Sequence, residues 1–369
     1  MFDKIQGQSH ALQILKSAID NNRVAQAYLF HGPEGVGKFT TALYFGMALN
    51  CLAESEIRPC GVCSACQKLL NMDHPDLIHL FPTPNFKMSP EGEIKDSANL
   101  QAYLGYIQNK IDSPWKQYRF NRAVELRLDN IRMLISSLNL SISELSMRIC
   151  IIEDVDMMNT ATANAFLKTL EEPPPRTIML LTSCRLPKII PTIISRCQTI
   201  YFKPLSRTII QQILQKKHGF DLLSSRTAAR IANGNFKAAF RIAEDSTLAL
   251  RELAFEMFAL AKEANELKYL QLLERIREDI NAESTRLIFD YLGFIANDMI
   301  MLNSNPDAVT NIDKVDLLKQ IQPARMYLED DVYAYLMHLE DFKNKIEGNV
   351  NLRLLLLNNF YALEELLTG

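Results

Sequence analysis

An α/β domain built on a parallel sheet, followed by domains made only of helices, is the architecture this sequence predicts. Two features predict it. Up to about residue 205, short apolar runs without polar alternation are separated by segments of helical periodicity, as in a parallel sheet covered on both faces. Beyond Pro204, Leu, Ile and Ala recur at helical spacing through Leu367. The 369 residues are 48% apolar and 22% charged, which is the ordinary globular mixture and excludes a disordered or collagenous chain. Lys and Arg total 40 against 43 Asp and Glu, so the net charge of −3 argues against a protein that grips DNA unaided.

The elements follow in order. Residues 9–20 carry apolar positions every three or four residues and read as a helix. Ala27 to Phe30 is a short buried strand, the turn from His31 to Gly37 is glycine-rich, and Ala42 to Leu49 continues as a helix. Asp76 to Phe81 reads as a second strand. Residues 82–120 hold Pro82, Pro84, Pro90 and Pro114 and read as an irregular insertion. Asp129 is placed to cap a helix running to about Leu138. Ile149 to Ile152 is a strand that ends in acids, and Ala161 to Glu172 is a helix stopped by three prolines. Thr177 to Thr182 and Thr199 to Phe202 complete the strands. No secretory leader and no apolar run long enough to span a bilayer is visible, and the odd count of seven cysteines speaks against a disulfide framework. A cytoplasmic location with reduced thiols is the expectation, with no membrane partner.

Gly32-Pro33-Glu34-Gly35-Val36-Gly37-Lys38 lies between a strand and a helix, where a phosphate loop belongs. Glycines let backbone N–H groups close around phosphate oxygens, and Lys38 would reach the β- and γ-phosphates. The next position should carry a Ser or Thr hydroxyl for Mg²⁺, and this chain has Phe39. Thr40 and Thr41 follow, turned ~100° and ~200° away by helical geometry. The acidic strand end is also altered. An ATPase wants Asp for the metal and then Glu for the water; here the order is Glu153-Asp154, and the shorter Asp154 would sit about 1.5 Å farther from an attacking water. Together these departures predict weak ATP and Mg²⁺ binding or none.

Cys51, Cys60, Cys63 and Cys66 are spaced C-x8-C-x2-C-x2-C. Four thiolates on a short loop match a closed, structural Zn²⁺ site, and an iron–sulfur cluster is the competing reading. Cys150, Cys184 and Cys197 lie in or beside buried strands and read as packing residues. The six histidines are scattered and read as structural. No Gly-x-Ser-x-Gly or His-Glu-x-x-His motif supports a hydrolase.

Phe2-Asp3-Lys4-Ile5-Gln6-Gly7-Gln8, then Ala27-Tyr28-Leu29-Phe30-His31-Gly32-Pro33 and the four-cysteine insertion, resemble bacterial clamp-loader AAA+ subunits of DNA polymerase III. Asn164-Ala165-Phe166-Leu167-Lys168-Thr169-Leu170-Glu171-Glu172-Pro173-Pro174 and Ser195-Arg196-Cys197 carry the same resemblance. It is dense over residues 1–82 and 125–205 and architectural after that. The family's gamma/tau motor branch keeps the hydroxyl and the Asp-Glu order; the chain departs at both, as the delta-prime branch commonly does. The resemblance implies an AAA+ domain over 1–205 with a zinc module at 51–66, a helical lid over 206–245 and a helical collar over 250–369. It further implies a place beside gamma/tau and delta subunits in a hetero-pentamer that loads a sliding clamp on primed DNA, within a polymerase holoenzyme. Arg196 would be an arginine finger acting in a neighbour's ATP site, Thr182 would stand at the sensor-1 position, and Lys237 would replace the sensor-2 arginine without its bidentate fork. The rival readings are a self-sufficient gamma/tau-like motor and, further off, a zinc-containing DNA-binding module.

Overall fold

The computed structural model describes residues 2–54, 57–86, 94–116, 118, 120, 122, 124–244, 248–278, 280–321, 329–346 and 350–368. The chain divides into two units, one of residues 1–210 with 233–240 and the other of residues 211–232 with 241–369.

The first unit is a five-stranded, wholly parallel sheet of β1 (Ala27–His31), β2 (Leu77–Leu80), β3 (Arg148–Ile152), β4 (Thr177–Ser183) and β5 (Gln198–Tyr201). Their order across the sheet is β2-β3-β4-β1-β5, which puts the loop after β1 beside the end of β4, with the end of β3 next beyond it. Between and around them run α1 (Ser9–Asp20), α2 (Lys38–Asn50), α3 (Ser64–Leu70), α4 (Ser97–Asp112), α5 (Leu128–Leu138), α6 (Thr160–Glu171) and α7 (Pro191–Ile194). Because side chains alternate across a strand, the apolar runs of β1, β3 and β4 each feed two cores at once. Tyr28, Phe30, Ile149, Ile151, Ile178 and Leu180 pack with Phe45 of α2 and Leu15 of α1 on one face. Leu29, Cys150, Ile152, Met179 and Leu181 pack with Leu134 of α5 and Phe166 of α6 on the other. This is why the strands lack polar alternation.

Two local expectations change. Residues 82–120 are not irregular throughout: they contain α4, a helix of 16 residues. Asp96 caps it by accepting the N–H of Asn99 at 2.8 Å. The prolines flank this helix and do not interrupt it, and Leu100, Tyr103, Leu104, Ile107 and Ile111 recur at helical spacing inside the proline-free window. Asp129 does not cap α5 but lies in its first turn; Arg127 holds the N-cap position, and its N–H is satisfied by Asn130 Oδ1 at 2.9 Å.

Asp76, just before β2, is 1% exposed and accepts three backbone N–H groups, from Ser143, Glu144 and Leu145, at 2.7–3.0 Å. Burial alone would raise its pKa, but these donors more than offset that and hold the carboxyl below its ordinary range. We expect Asp76→Ala to destabilise the chain by about 2–4 kcal/mol in denaturant unfolding, since it orphans buried donors to a charged group. The sign in pH follows from the lowered pKa. The Asp76 contribution is complete above the ordinary carboxylate pKa and disappears as pH falls through the depressed folded value, so the gap between wild type and Asp76→Asn should narrow in strong acid.

The second unit is helical. Its long members are α8 (Arg207–His218) in part, α9 (Leu222–Ile231), α10 (Phe236–Ala243) in part, α11 (Leu248–Lys262), α12 (Glu266–Arg275), α13 (Ala282–Ser304), α14 (Val315–Ile321), α15 (Glu329–Ile346) and α16 (Leu352–Thr368). Helices α11, α13, α15 and α16 pack in a closed cycle of neighbours. A buried polar network joins α11 and α13 to the segment before α14. Arg251 makes a two-pronged ion pair with Asp313 and donates to Asn311 Oδ1, and Asn311 donates in turn to Asp298. No helix among the described residues is long and apolar enough to cross a membrane.

Candidate nucleotide site and cysteine cluster

The loop from Gly32 to Gly37 leaves β1 and turns into α2 at the carboxyl end of the sheet. Gly35 has φ +70°, and a Cβ there would fall 1.9 Å from Asn235 Oδ1, so only glycine lets the start of α10 approach the loop. Phe236 N–H donates to Gly35 O at 3.1 Å across that approach. Lys237 follows, and its Nζ lies 4.0 Å from Glu34 Oε1 at the same loop. Gly32 and Gly37 also have positive φ. Gln8 ties the outer side together: its amide donates to Val36 O and Lys203 O and accepts from Lys203 N–H.

Lys38 is folded onto its own loop, donating to Gly32 O at 2.7 Å and Pro33 O at 2.6 Å, with Cys184 Sγ at 3.3 Å. Cys184 Sγ also approaches Asp154 Oδ1 at 3.8 Å. Cys184 therefore lies in the site between the loop lysine and the acidic strand end, and is not simply a packing residue; Cys150 is fully buried in the core as expected. Phe39 is 9% exposed, with its ring 5.2 Å from that of His79. Thr40 is half-buried, and Thr41 turns its hydroxyl back onto Gly37 O at 2.8 Å.

Glu153 directly follows β3, and its carboxylate is already satisfied. His79 Nε2 donates to Oε1 at 2.8 Å, Tyr106 OH donates to Oε1 at 2.9 Å, and Lys110 Nζ pairs with Oε2 at 2.5 Å. Burial opposes its ionisation, yet the Lys110 ammonium and His79 hold its pKa far below the usual range. Burial, followed by the charge of Lys237, lowers the pKa of Lys110 itself, against the pull of Glu153. Asp154 has φ 50°, and burial with the charges of Glu153 and Asp156 raises its pKa to about 6. Its N–H donates to Thr182 Oγ1 at 3.2 Å, which ties the β4 hydroxyl to the acidic strand end. Asp156 is held by the end of β4, accepting from Ser183 Oγ and from Arg185 Nε.

The Mg²⁺ that a phosphate loop implies does not fit these residues. Position 39 offers a ring where an oxygen is needed, and the Glu153 carboxylate has three donors of the chain's own around it. Sequence reasoning missed His79, Tyr106 and Lys110. The helical spacing of α4 was there to be read, but nothing local shows which of its side chains reaches Glu153.

Arg196 belongs to a different set of contacts. It follows α7, 32% of its side chain is exposed, and it ion-pairs with Glu171 at the end of α6 while donating to Thr192 O at 2.9 Å. Cys51, Cys60, Cys63 and Cys66 form the second site, with their sulfurs all within 4.8 Å of one another. A tetrahedral metal with bonds of about 2.3 Å to sulfur needs S···S separations of roughly 3.8 Å, so this donor set could hold one. Val62 and Cys63 N–H groups point at Cys60 Sγ and bring its pKa down to about 6, whereas burial pushes the Cys66 thiol up.

A sequence model of the family described as "DNA polymerase III, delta subunit" matches residues 7–206. The chain is 26% identical over 359 residues to the DNA polymerase III subunit tau of Bacillus subtilis, covering 90% of this chain but only 56% of that protein. It is 25% identical over 366 residues to DNA polymerase III subunit delta' of the same organism, covering 97% and 96% of the two chains. In fold it resembles the gamma subunit-related protein of Thermotoga maritima, with a TM-score of 0.50 at 16% identity over 96% of this chain and 99% of that one.

Proposed function

The chain belongs to the DNA polymerase III delta-subunit family, related to the gamma/tau subunits, and from that premise we propose that it is a clamp-loader subunit of the delta-prime kind. In this reading it sits in a ring with gamma/tau and delta subunits in the cytoplasm, helps open the sliding clamp for primed DNA, and does not itself hydrolyse ATP. The observation that carries the last point is Phe39: a buried ring stands at the start of α2, where a motor needs a hydroxyl oxygen. Lys38 engages the carbonyls of its own loop. The residue offered to the reaction is Arg196, supplied to a neighbour's ATP, where a planar guanidinium can neutralise developing phosphate charge. Residues 206–245 serve as a lid, and residues 250–369 as the collar that joins the ring.

Zn²⁺ is the metal that suits Cys51, Cys60, Cys63 and Cys66, because a closed set of four thiolates leaves no open position for chemistry. Bound there, it would brace α3 against α2 and take no part in catalysis.

Steady-state Mg²⁺-ATP turnover by the purified chain tests this reading, with Lys38→Ala as the control. The expected result is no turnover that depends on Lys38. Turnover that vanishes in Lys38→Ala would overturn it and make the chain a motor of the gamma/tau kind.

A further inference from the structure

We propose that Lys110 is the resident cation of the phosphate-loop site, delivered by the insertion helix α4 to the place that a divalent metal would occupy. The proposal deepens the reading above and rests on it. A phosphate loop holds its metal between two groups, the residue after the loop lysine and the carboxylate that ends the acidic strand. In this chain those are Phe39 and Glu153, and the Lys110 ammonium lies between them. It is 2.5 Å from Glu153 Oε2 and 4.3 Å from the centroid of the Phe39 ring.

The two substitutions explain each other. A ring face cannot coordinate Mg²⁺ from within its hydration shell, but it does attract an ammonium. A buried lysine needs a carboxylate, and the Lys110 and Glu153 side chains are only 8% and 7% exposed. Tyr106, one turn before Lys110, fills the other side of the same carboxylate. The ammonium carries one charge in place of two and has no open coordination position. Held by Glu153, it fills the metal's place without taking ligands from a nucleotide, so the site is closed to metal-nucleotide chemistry by its own chain.

The insertion is anchored for this task. Tyr106 stacks on Phe81 with ring centroids 4.0 Å apart, and Phe120 stacks on Tyr106 at 5.6 Å. Tyr118 OH donates to Ala102 O at 2.8 Å, and a Cβ on Gly105 would fall 2.9 Å from that hydroxyl, so glycine lets the cover lie flat on α4. An aromatic stack of this size fixes the helix and so fixes where Lys110 points.

The test uses Mn²⁺ with ATP as the probe, read by electron paramagnetic resonance on the full-length chain in four forms: wild type, Phe39→Ser, Lys110→Gln and the double variant. Only the double variant should acquire a Mn²⁺-ATP site, with affinity at least tenfold above the other three and lost again in Lys38→Ala. Phe39→Ser alone should not, because Lys110 still holds Glu153. Should Lys110→Gln fail to fold, Lys110→Met in the same series replaces it. Equal gain in Phe39→Ser and the double variant would overturn the role of Lys110 and leave the non-hydrolysing reading standing. No gain in the double variant would also overturn it. Lys38-dependent Mn²⁺-ATP binding by wild type would also overturn the role of Lys110, whereas only Lys38-dependent turnover would overturn the non-hydrolysing reading.

Discussion

Replacing Arg196 with alanine is expected to lower the ATP turnover of an assembled clamp loader by about 10³-fold or more, the range measured for arginine fingers elsewhere. The expectation rests on where Arg196 is and on how little the chain itself uses it. Its guanidinium is partly exposed beyond α7 and pairs with Glu171, a residue whose side chain is 44% exposed. A pair that open to solvent contributes at most about 1 kcal/mol, so Arg196→Ala should melt like wild type and assemble normally. Loss of turnover with intact assembly then reads as loss of charge at a neighbour's phosphates. Arg196→Lys separates charge from geometry: lysine keeps the charge but not the planar fork, and should recover only a small part of the rate. Glu171→Gln supplies the opposite sign, since it loosens the competing partner within the chain and should leave turnover equal or higher. Unchanged turnover in Arg196→Ala would remove the finger from the mechanism.

The centre of the sheet was legible because β1, β3 and β4 are short apolar runs buried on both faces, and burial of that kind writes itself into consecutive residues. Ile149 to Ile152 and Thr177 to Thr182 needed only one-residue extensions, to Arg148 and Ser183. The phosphate loop and the four cysteines were legible for a similar reason: their chemistry is local, and spacing alone describes it. The insertion was misread because prolines at its flanks outweighed the helical spacing between them, although Asp96 marks the start of α4. What the sequence could not show is convergence. Glu153 is satisfied by His79 from β2 and by Tyr106 and Lys110 from α4, residues 43 to 74 positions away along the chain. Cys184 belongs to the site for the same reason: β4 ends beside β1, so its thiol meets Lys38 across 146 positions. Phe39 read in isolation is a lost metal ligand; with Lys110 above it, it is half of a substitution.

The largest effect on folding should come from removing the metal proposed for Cys51, Cys60, Cys63 and Cys66. As isolated, the chain should carry one zinc per molecule and no visible absorption, which an iron–sulfur cluster would show. Chelation with a thiol-trapping reagent, or Cys66→Ser, should lower the melting temperature by about 10 °C or more, because binding free energy at a structural zinc is folding free energy, ~10–16 kcal/mol in small zinc modules. The loss here should be smaller and local, for two structural reasons. Helix α3 has seven residues, too few to stay helical without tertiary support. Yet Cys51, Ala65, Cys66 and Leu69 are part of the core on the α2 face of the sheet, so releasing them opens that layer at one edge while β1, β3 and β4 keep their own packing. Hydrogen exchange should therefore rise over residues 57–72 and stay slow in the central strands. Cys60→Ser should cost less than Cys66→Ser, because Cys60 is half-buried and Cys66 is fully buried. A metal-free chain whose Cys66→Ser variant melts like wild type would show that the four sulfurs are neighbours without being ligands.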